Sequence, residues 1–334
     1  NNFYYSAFPL QEEYHHLLPY WRTPKSLPVA SFVPKYLVKR NRRMRVPKGM
    51  NIGQLNLGGI TSDDIVQNIL KMEEREPQSQ LLKSVWKNNF SSLDQVISSV
   101  SSLAIRKPKE ARFSLWHPET VRTVIRTLEF IKENEIFGEE NNMDFVELIN
   151  QGYFPNLNFL SDRSMKEYHR IYIAILIRQL YQAKISGRIK PKRLVFVFDD
   201  MGTLAAPSRE IPTCRDLIVN DLISLGREHG IYVIGATQSL TQIPETIIDQ
   251  VKNFIFFGQI SGTDLKIIAN VRNVSRSKLR EKLLRPKLKT GYFPPVRLAD
   301  GRRSCVIWSA EQGLRGNIQS GWVPAPSSYH HGMG

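Results

Sequence analysis

Three short apolar runs, separated by helix-patterned sequence, constrain the fold of this chain more than any other feature. The runs are Leu194–Phe198, Ile231–Ala236 and Phe254–Phe257. Short apolar runs that alternate with amphipathic helices are typical of a parallel sheet whose strands are buried on both faces. The sequence therefore predicts an α/β fold built on a mostly parallel sheet.

Polar side chains follow the first two of these runs. Asp199 and Asp200 come directly after the first run, and Thr237 and Gln238 come directly after the second. In open α/β sheets, ligands bind at the carboxyl ends of the strands. We therefore expect these four side chains to form one site.

This combination of groups suits a nucleotide phosphohydrolase. A carboxylate at the end of an apolar strand can hold Mg²⁺ through water beside a triphosphate. A second carboxylate can orient or deprotonate the attacking water, and a polar group on the neighbouring strand tip can sense the γ-phosphate. The alternative is that the two aspartates only end a strand, because Asp before Met-Gly is favourable turn sequence.

The segments around these residues resemble the HerA–FtsK superfamily of DNA-pumping ATPases, which includes HerA-type translocases and type IV coupling proteins. LVFVFDD resembles the family's Walker B strand, and LGREHGIYVIGATQS resembles its Gly-Arg, helix end, strand and Thr-Gln pattern. IPETIIDQVKNFIFFGQISGTD resembles the segment and core strand that follow. The family usually has Asp-Glu where this chain has Asp199-Asp200.

The resemblance implies a RecA-like P-loop ATPase core with a helical insert, using ATP and Mg²⁺. It implies a homo-oligomeric ring, expected to be a hexamer, that translocates double-stranded DNA. Asp199 would hold Mg²⁺ through water and Asp200 would position the attacking water. Gln238 would sense the γ-phosphate, with Thr237 beside it at the nucleotide. Arg227 would supply positive charge to a neighbouring subunit's nucleotide, or it is an ordinary cation at a helix C-terminus.

The order of the patterns divides the chain into four parts. Residues 1–72 are expected to form the N-terminal part of the ATPase core, and 73–152 the helical insert. Residues 153–310 would form the rest of the core, with the Walker B and sensor strands. Residues 311–334, rich in Gly, Pro and Ser, would form an extended C-terminal arm.

Local patterns predict further elements within these parts. Strands are expected at Val29–Val38, Asn51–Asn56 and Phe154–Leu160, and Asp63 is expected to cap a helix. A long helix should run from about Ser164 to Lys184 and pack against the sheet through one stripe, formed by Ile171, Ile175, Leu176, Gln179 and Leu180. A basic helix is expected over Asn270–Lys289, ended by Pro286, and a hairpin over Pro294–Trp308 with an Asp300-Gly301 turn.

The formal net charge of +15 suggests a polyanionic partner, most often nucleic acid. The alternative is simply a basic surface. Cations are dense at Lys39–Lys48 and in the Arg272–Lys289 segment. We predict phosphate contacts from Arg40, Arg42, Arg43, Arg45, Lys48, Arg272, Arg276 and Lys278, whereas a solvated loop is the alternative for the first cluster.

Two cysteines, Cys214 and Cys305, are too few for a disulfide framework or a zinc site. No apolar run reaches about 18 residues, so no transmembrane segment is predicted. No signal peptide pattern opens the sequence. We therefore expect a cytoplasmic protein, for which a nuclease or a membrane complex is a candidate partner.

A nucleotide site of this kind needs a Gly-x-x-x-x-Gly-Lys-Ser/Thr loop at a helix N-terminus. The sequence contains no such segment: Gly53–Ser62 lacks the lysine, and no partner glycine precedes Ser261-Gly262-Thr263. We expect the loop to lie upstream of residue 1. The alternatives are a catalytically inactive ring or scaffold subunit and a chain completed by another polypeptide. A nuclease with paired aspartates is disfavoured, because no further carboxylate cluster accompanies Asp199 and Asp200.

Overall fold

The computed structural model describes residues 28–40, 46–47, 49–57, 60–66, 76–86, 90–104, 116–138, 143–159, 166–205, 212–257, 261–277, 280, 303–309 and 318–323. The chain forms two compact units. The first unit comprises Val29–Leu194 and Ser208–Ile231. The second comprises Val195–Pro207 and Tyr232–Gly334, together with Asn1–Pro28. The four-part division expected from the sequence stays a prediction.

Strands and helices alternate along most of the described chain, as the sequence patterns predict. In chain order they are β1 (Val29–Pro34), α1 (Lys35–Arg40), β2 (Met50–Gly53), β3 (Leu55–Asn56), α2 (Ser62–Ile65), α3 (Pro77–Val85), α4 (Leu93–Ala104), α5 (Pro118–Glu133), β4 (Phe137–Gly138), α6 (Phe145–Asn150), β5 (Phe154–Leu157), α7 (Lys166–Ile185), β6 (Leu194–Phe198), α8 (Met201–Ala205), α9 (Pro212–Asp216), a π-helix (Leu217–Leu225), a 3-10 helix (Gly226–His229), β7 (Ile231–Gly235), a second 3-10 helix (Leu240–Gln242), α10 (Glu245–Gln250), β8 (Asn253–Phe257), α11 (Gly262–Val271), β9 (Arg303–Ser309) and β10 (Ile318–Val323).

The first unit is built on a parallel sheet in which β1 lies between β2 and β5. The strand predicted at Val29–Val38 ends earlier, at Pro34, because a proline cannot continue the hydrogen-bond ladder and α1 begins at the next residue. The strand predicted at Asn51–Asn56 is divided at Gln54. Its second half, β3, pairs parallel with β4 instead of β1. The strand predicted at Phe154–Leu160 is observed as β5, which ends at Leu157.

Within the described parts of residues 73–152, the region predicted to be helical contains α3, α4, α5 and α6, and also the short strand β4, which was not predicted. Pro118 occupies the first turn of α5, as expected, and His117 caps that helix with its side chain. The prediction that Asp63 caps a helix is wrong. The cap of α2 is Thr61, whose hydroxyl accepts from the Asp64 N–H while Asp64 bonds back to the Thr61 N–H. This reciprocal arrangement satisfies two donors at once, which Asp63 could not do from within the first turn.

The long helix predicted at Ser164–Lys184 is observed as α7. Four members of its predicted apolar stripe, Ile171, Ile175, Leu176 and Leu180, are buried, and Gln179 is half-buried. An ion pair joins α7 to α2: the Arg178 guanidinium donates to both oxygens of Asp64, at 3.0 and 2.9 Å. Asp64 is fully buried, so the first unit contains a paired charge in its core.

The second unit contains the β6–β7 pair from Val195 and Tyr232 onward, and an antiparallel sheet in the order β10-β9-β8. Two expectations are corrected here. β6 is not buried on both faces, because Val195 and Val197 are 48% and 40% exposed while Phe196 and Phe198 are buried. β8 pairs antiparallel with β9, a partner that periodicity cannot reveal. β10 shows that part of the predicted arm belongs to this sheet. The rest of the arm and the predicted Asp300-Gly301 turn lie outside the described residues.

No helix within the described part of the chain combines the length and apolar character needed to span a membrane.

Candidate functional site

The ends of β6 and β7 lie side by side. The Leu194 N–H donates to the Gly230 carbonyl at 3.0 Å, and the Ala236 N–H donates to the Phe198 carbonyl at 2.9 Å. Residue numbers rise together along both strands, so the strands run parallel. Just beyond the strands, the Met201 N–H donates to the Ala236 carbonyl at 2.7 Å. The carboxyl ends therefore meet at one edge, as the sequence predicts.

Asp199 and Asp200 follow β6 and are both exposed. Asp200 has φ of 57°, in the left-handed region that aspartate tolerates better than most non-glycine residues. The Thr203 hydroxyl donates to Asp200 Oδ2 at 2.6 Å, and the Thr203 N–H donates to the Asp200 carbonyl. Thr203 therefore orients the Asp200 carboxylate. Sequence reasoning missed Thr203.

Glycines allow the segments after β6 and β7 to approach closely. A Cβ on Gly202 would lie 2.4 Å from Gln242 Oε1 and 3.1 Å from Thr237 Oγ1. A Cβ on Gly235 would lie 2.2 Å from Met201 Sδ. Real Cβ atoms do not approach other atoms this closely, and a Cβ on Gly202 would also lie 2.7 Å from Gln242 Cβ, so a larger residue at Gly202 would displace Gln242. Thr237 is thus placed next to the helix that follows Asp200.

The segment after β7 is held by its own hydroxyls and by one distant carboxylate. Thr237 is half-buried and donates its hydroxyl to the Ser239 carbonyl at 2.9 Å, and Gln238 is exposed. Asp264 Oδ1 accepts from the Ser239 hydroxyl at 3.1 Å and from the Leu240 N–H at 2.9 Å. Asp264 lies in the first turn of α11, so this helix fixes the position of the segment that carries Gln238.

Sequence reasoning missed Asp264 as a site-forming residue. The available signal was Ser261, which caps α11 by accepting from the Asp264 N–H at 3.0 Å. A Ser-x-x-Asp pattern indicates a helix start. It does not indicate which loop the aspartate will reach.

Arg227 lies apart from these residues along the chain. It is exposed in the 3-10 helix of the first unit, which precedes β7, whereas Gln238 follows β7. Arg227 therefore lies before the first residue of β7, and Gln238 lies after its last residue. The expected action of Arg227 on a neighbouring subunit's nucleotide stays a prediction.

The predicted DNA contacts are only partly within the described chain. Arg42, Arg43, Arg45, Lys48 and Lys278 lie outside the described residues. Arg40 is exposed at the last position of α1. Arg276 is exposed and donates to the Gly262 carbonyl at 3.1 Å.

The side chain of Arg272 is only 20% exposed. It donates to the Ile248 carbonyl at 3.0 Å and to the Val251 carbonyl, at the C-terminal end of α10. The predicted helix over Asn270–Lys289 is interrupted here, because α11 ends at Val271 and Asn273 has φ of 48°. Asparagine in the left-handed region commonly ends a helix. Arg272 thus satisfies helix carbonyls, and its predicted DNA contact remains a prediction.

Magnesium would suit the donors present at the strand ends. Mg²⁺ keeps several waters and usually binds one or two carboxylates together with substrate phosphates. Asp199 and Asp200 provide two such carboxylates at the end of β6. Among the described residues, no group of three or more His, Cys, Asp and Glu side chains could hold a metal by themselves. Burial raises the pKa of the Cys214 thiol to about 12, which makes it a poor ligand and nucleophile.

Solved structures provide the comparison with known proteins. The chain is similar to VirB4 of Thermoanaerobacter pseudethanolicus, with a TM-score of 0.54 and 10% identity over 89% of this chain and 81% of that one. The bacterial conjugative coupling protein TrwBdeltaN70 matches with a TM-score of 0.40 and 12% identity, covering 90% of this chain and 72% of that one. The genome packaging NTPase B204 from Sulfolobus turreted icosahedral virus 2, in complex with AMPPCP, matches with a TM-score of 0.34 and 15% identity. This match covers 54% of this chain and 71% of that one.

No family model matches the chain, and no curated protein matches its sequence. At 10% identity, the likeness to VirB4 is informative about the fold alone. The parallel sheet of the first unit and the parallel β6–β7 pair agree with it. The predicted α/β fold is therefore confirmed.

Proposed function

We propose that this chain is the core of an ATP-driven translocase that moves double-stranded DNA, similar to the HerA–FtsK motors. The observation that carries the proposal is the junction of two strand ends. Asp199 and Asp200 follow one strand, Thr237 and Gln238 follow the other, and the backbones of the two strand ends are hydrogen-bonded to each other. Acidic and neutral polar groups at adjacent strand ends suit nucleotide hydrolysis. The similar structures include a packaging NTPase and a conjugative coupling protein.

Each side chain has a role that its surroundings support. Asp199 would hold Mg²⁺ through water, and bound Mg²⁺ would neutralise charge on the ATP phosphates. Asp200 would orient the attacking water, with its carboxylate held by the Thr203 hydroxyl. Gln238 would sense the γ-phosphate from a segment that Asp264 holds in place. A positioned side chain loses little conformational entropy when it acts.

The proposal includes a phosphate loop supplied from outside residues 1–334, since the sequence contains no Gly-x-x-x-x-Gly-Lys-Ser/Thr segment. It also includes a homo-oligomeric ring, in which Arg227 of one subunit serves the nucleotide of the next. A hexamer in the cytoplasm, working with a nuclease or a membrane complex, is the assembly we propose. The net charge of +15 supports DNA as the substrate.

A second candidate function is a catalytically inactive ring or scaffold subunit of the same fold. Two observations favour it: the sequence lacks a phosphate loop, and Asp200 stands where the family usually has glutamate. Such a subunit would bind DNA or protein partners without hydrolysing ATP. Hydrolysis separates the two candidates.

Nucleotide binding and turnover test the proposal. By titration calorimetry, the 334-residue chain alone should bind ATP only weakly, and micromolar affinity would contradict the need for an external phosphate loop. With a phosphate loop supplied, Asp200→Asn should abolish turnover and retain ATP binding. The matched control is Asp94→Asn, an exposed aspartate of α4, which should keep full turnover. If the unsubstituted, loop-supplied protein binds ATP without hydrolysing it, the scaffold function is correct.

A further inference from the structure

A basic loop connects α7 to β6 in the first unit. We call residues 186–193 the α7–β6 loop. It presents four exposed cations in six residues, Arg188, Lys190, Lys192 and Arg193. Within the described part of the chain, none of the four forms an ion pair with an acidic side chain. Their charge is therefore not neutralised by the neighbouring described structure.

Hydrogen bonds hold the first half of this loop in one shape. Ile189 is buried, and its N–H donates to the Ala183 carbonyl at 3.1 Å. The Asn150 side chain clamps the backbone on both sides of Ile189. Its Nδ2 donates to the Arg188 carbonyl at 2.9 Å, and its Oδ1 accepts from the Lys190 N–H at 2.9 Å. The cations at 188 and 190 thus project from a fixed backbone.

The second half of the loop is anchored equally well. The Lys184 ammonium donates to the Pro191 carbonyl at 2.6 Å and to the Lys192 carbonyl at 3.1 Å. Gly230, with φ of 72°, lies so close that a Cβ there would be 2.5 Å from the Lys192 carbonyl oxygen. Lys184 therefore serves the loop backbone, and the four exposed cations remain available to a ligand.

We propose that the α7–β6 loop binds the phosphate backbone of DNA without reading its sequence. Arginine donates a fork of N–H groups that matches phosphate oxygens, and lysine adds a compact positive charge. A loop already held in shape loses less entropy on binding than a flexible one. The proposal rests on the proposed function for its choice of DNA.

Neighbouring side chains favour nucleic acid over a membrane surface. Membrane-binding segments present large apolar side chains beside their cations. In the loop itself the large apolar residue, Ile189, is buried, and the exposed apolar neighbour is Ile185 at the end of α7. An exposed acid, Glu228, lies two residues before Gly230 and limits the positive charge on that side.

The test measures duplex binding by the whole chain as a function of salt concentration. The loop variant carries Arg188→Gln, Lys190→Gln, Lys192→Gln and Arg193→Gln, and Lys184 is kept because it holds the backbone. Each lost phosphate contact reduces the slope of log affinity against log salt by about 0.9. The slope should therefore become shallower by up to about 3.6, and affinity at 0.1 M salt should fall at least about tenfold. Two unrelated duplexes should show the same change.

A charge-matched control separates a site from a general effect of net charge. It replaces four exposed cations elsewhere with glutamine, Arg122, Arg126, Lys132 and Lys266. This control should change the slope far less than the loop variant does. Asn150→Ala, which removes the clamp and no charge, should weaken binding severalfold with little change in slope. Thermal unfolding checks that all variants remain folded.

The outcomes separate this inference from the proposed function. If the protein binds duplexes but the loop variant and the control behave alike, the loop is not the site, and the translocase proposal stands. If the unsubstituted protein binds no duplex, the DNA part of the proposed function fails and the inference fails with it. If the loop instead governs binding to phosphatidylserine vesicles and not to duplexes, the DNA assignment is overturned in favour of a membrane surface.

Discussion

Two apolar strands of this protein have different surroundings, although their sequences are similar in character. In β1, VASFVP, the last four residues are all buried, and β2 and β5 pair with its two edges. In β6, LVFVF, buried and exposed residues alternate. An apolar run therefore predicts a strand without telling how many of its faces are covered. β1 lies in the core of the first unit. β6 has one exposed face, and it is followed by two exposed aspartates.

The same contrast holds for charged side chains. The first unit places a carboxylate, Asp64, in its interior and pairs it with Arg178 through two hydrogen bonds. The second unit places Asp199 and Asp200 at the surface, where a ligand can reach them. Buried charge in the first unit thus contributes to structure, and exposed charge in the second is available for chemistry. Three predictions probe these two contrasts.

The largest effect is expected from Arg178→Leu. The substitution leaves Asp64 charged and fully buried without its partner, and loss of one member of a buried pair typically costs about 3–5 kcal/mol. Urea unfolding of the chain should show a loss of about 3 kcal/mol or more in the free energy of unfolding. The matched control is Arg122→Leu, because the Arg122–Glu119 pair is exposed and should contribute under about 1 kcal/mol. Equal losses would mean that the Asp64–Arg178 pair is solvated.

A smaller difference is expected between two valines. Val33 in β1 is fully buried, so Val33→Ala should cost about 2–3 kcal/mol through lost burial and the cavity left behind. Val197 in β6 is 40% exposed, so Val197→Ala should cost under about 1 kcal/mol. Urea unfolding of both variants measures the difference. Similar costs would show that the exposed face of β6 is covered in solution.

The smallest effect concerns Glu135, a half-buried acid of the first unit. Hydrogen bonds from Lys39 and then Lys35 hold the pKa of Glu135 below its usual value. A lowered folded-state pKa stabilises the protein above the unfolded-state pKa, and this contribution is lost as pH falls through the folded-state pKa. Glu135→Gln should cost under about 1 kcal/mol at neutral pH. In unfolding measurements the difference from the unsubstituted protein should disappear at acid pH and in high salt. A difference that persists in both would contradict this assignment.

Much of the fold could be predicted from local sequence. β6 has the predicted bounds, α7 begins and ends within two residues of its prediction, and Pro118 occupies the predicted first turn. These features depend on apolar spacing and on backbone preferences of single residues, both of which act over a few positions. The helix cap was misplaced from Thr61 to Asp63 because both residue types are good caps, and only the hydrogen bonds distinguish them.

The candidate site was predictable in part. Carboxyl ends of parallel strands share one edge, so Asp199, Asp200, Thr237 and Gln238 could be placed together from sequence order. Asp264 could not be placed there, since it reaches Leu240 across 24 residues of chain. The sequence also did not indicate that the Arg272 guanidinium satisfies carbonyls at the end of α10, and its predicted DNA contact stays a prediction.

The sequence by itself determined the bounds of β6, nearly those of α7, and which side chains stand at the ends of β6 and β7. Only the tertiary structure decided that β8 pairs antiparallel with β9, that one face of β6 is exposed, and that Asn150 clamps the α7–β6 loop. The physical reason is the distance along the chain over which each interaction acts. Backbone preference and apolar periodicity act between near neighbours, whereas burial and long-range hydrogen bonds depend on the path of the whole chain.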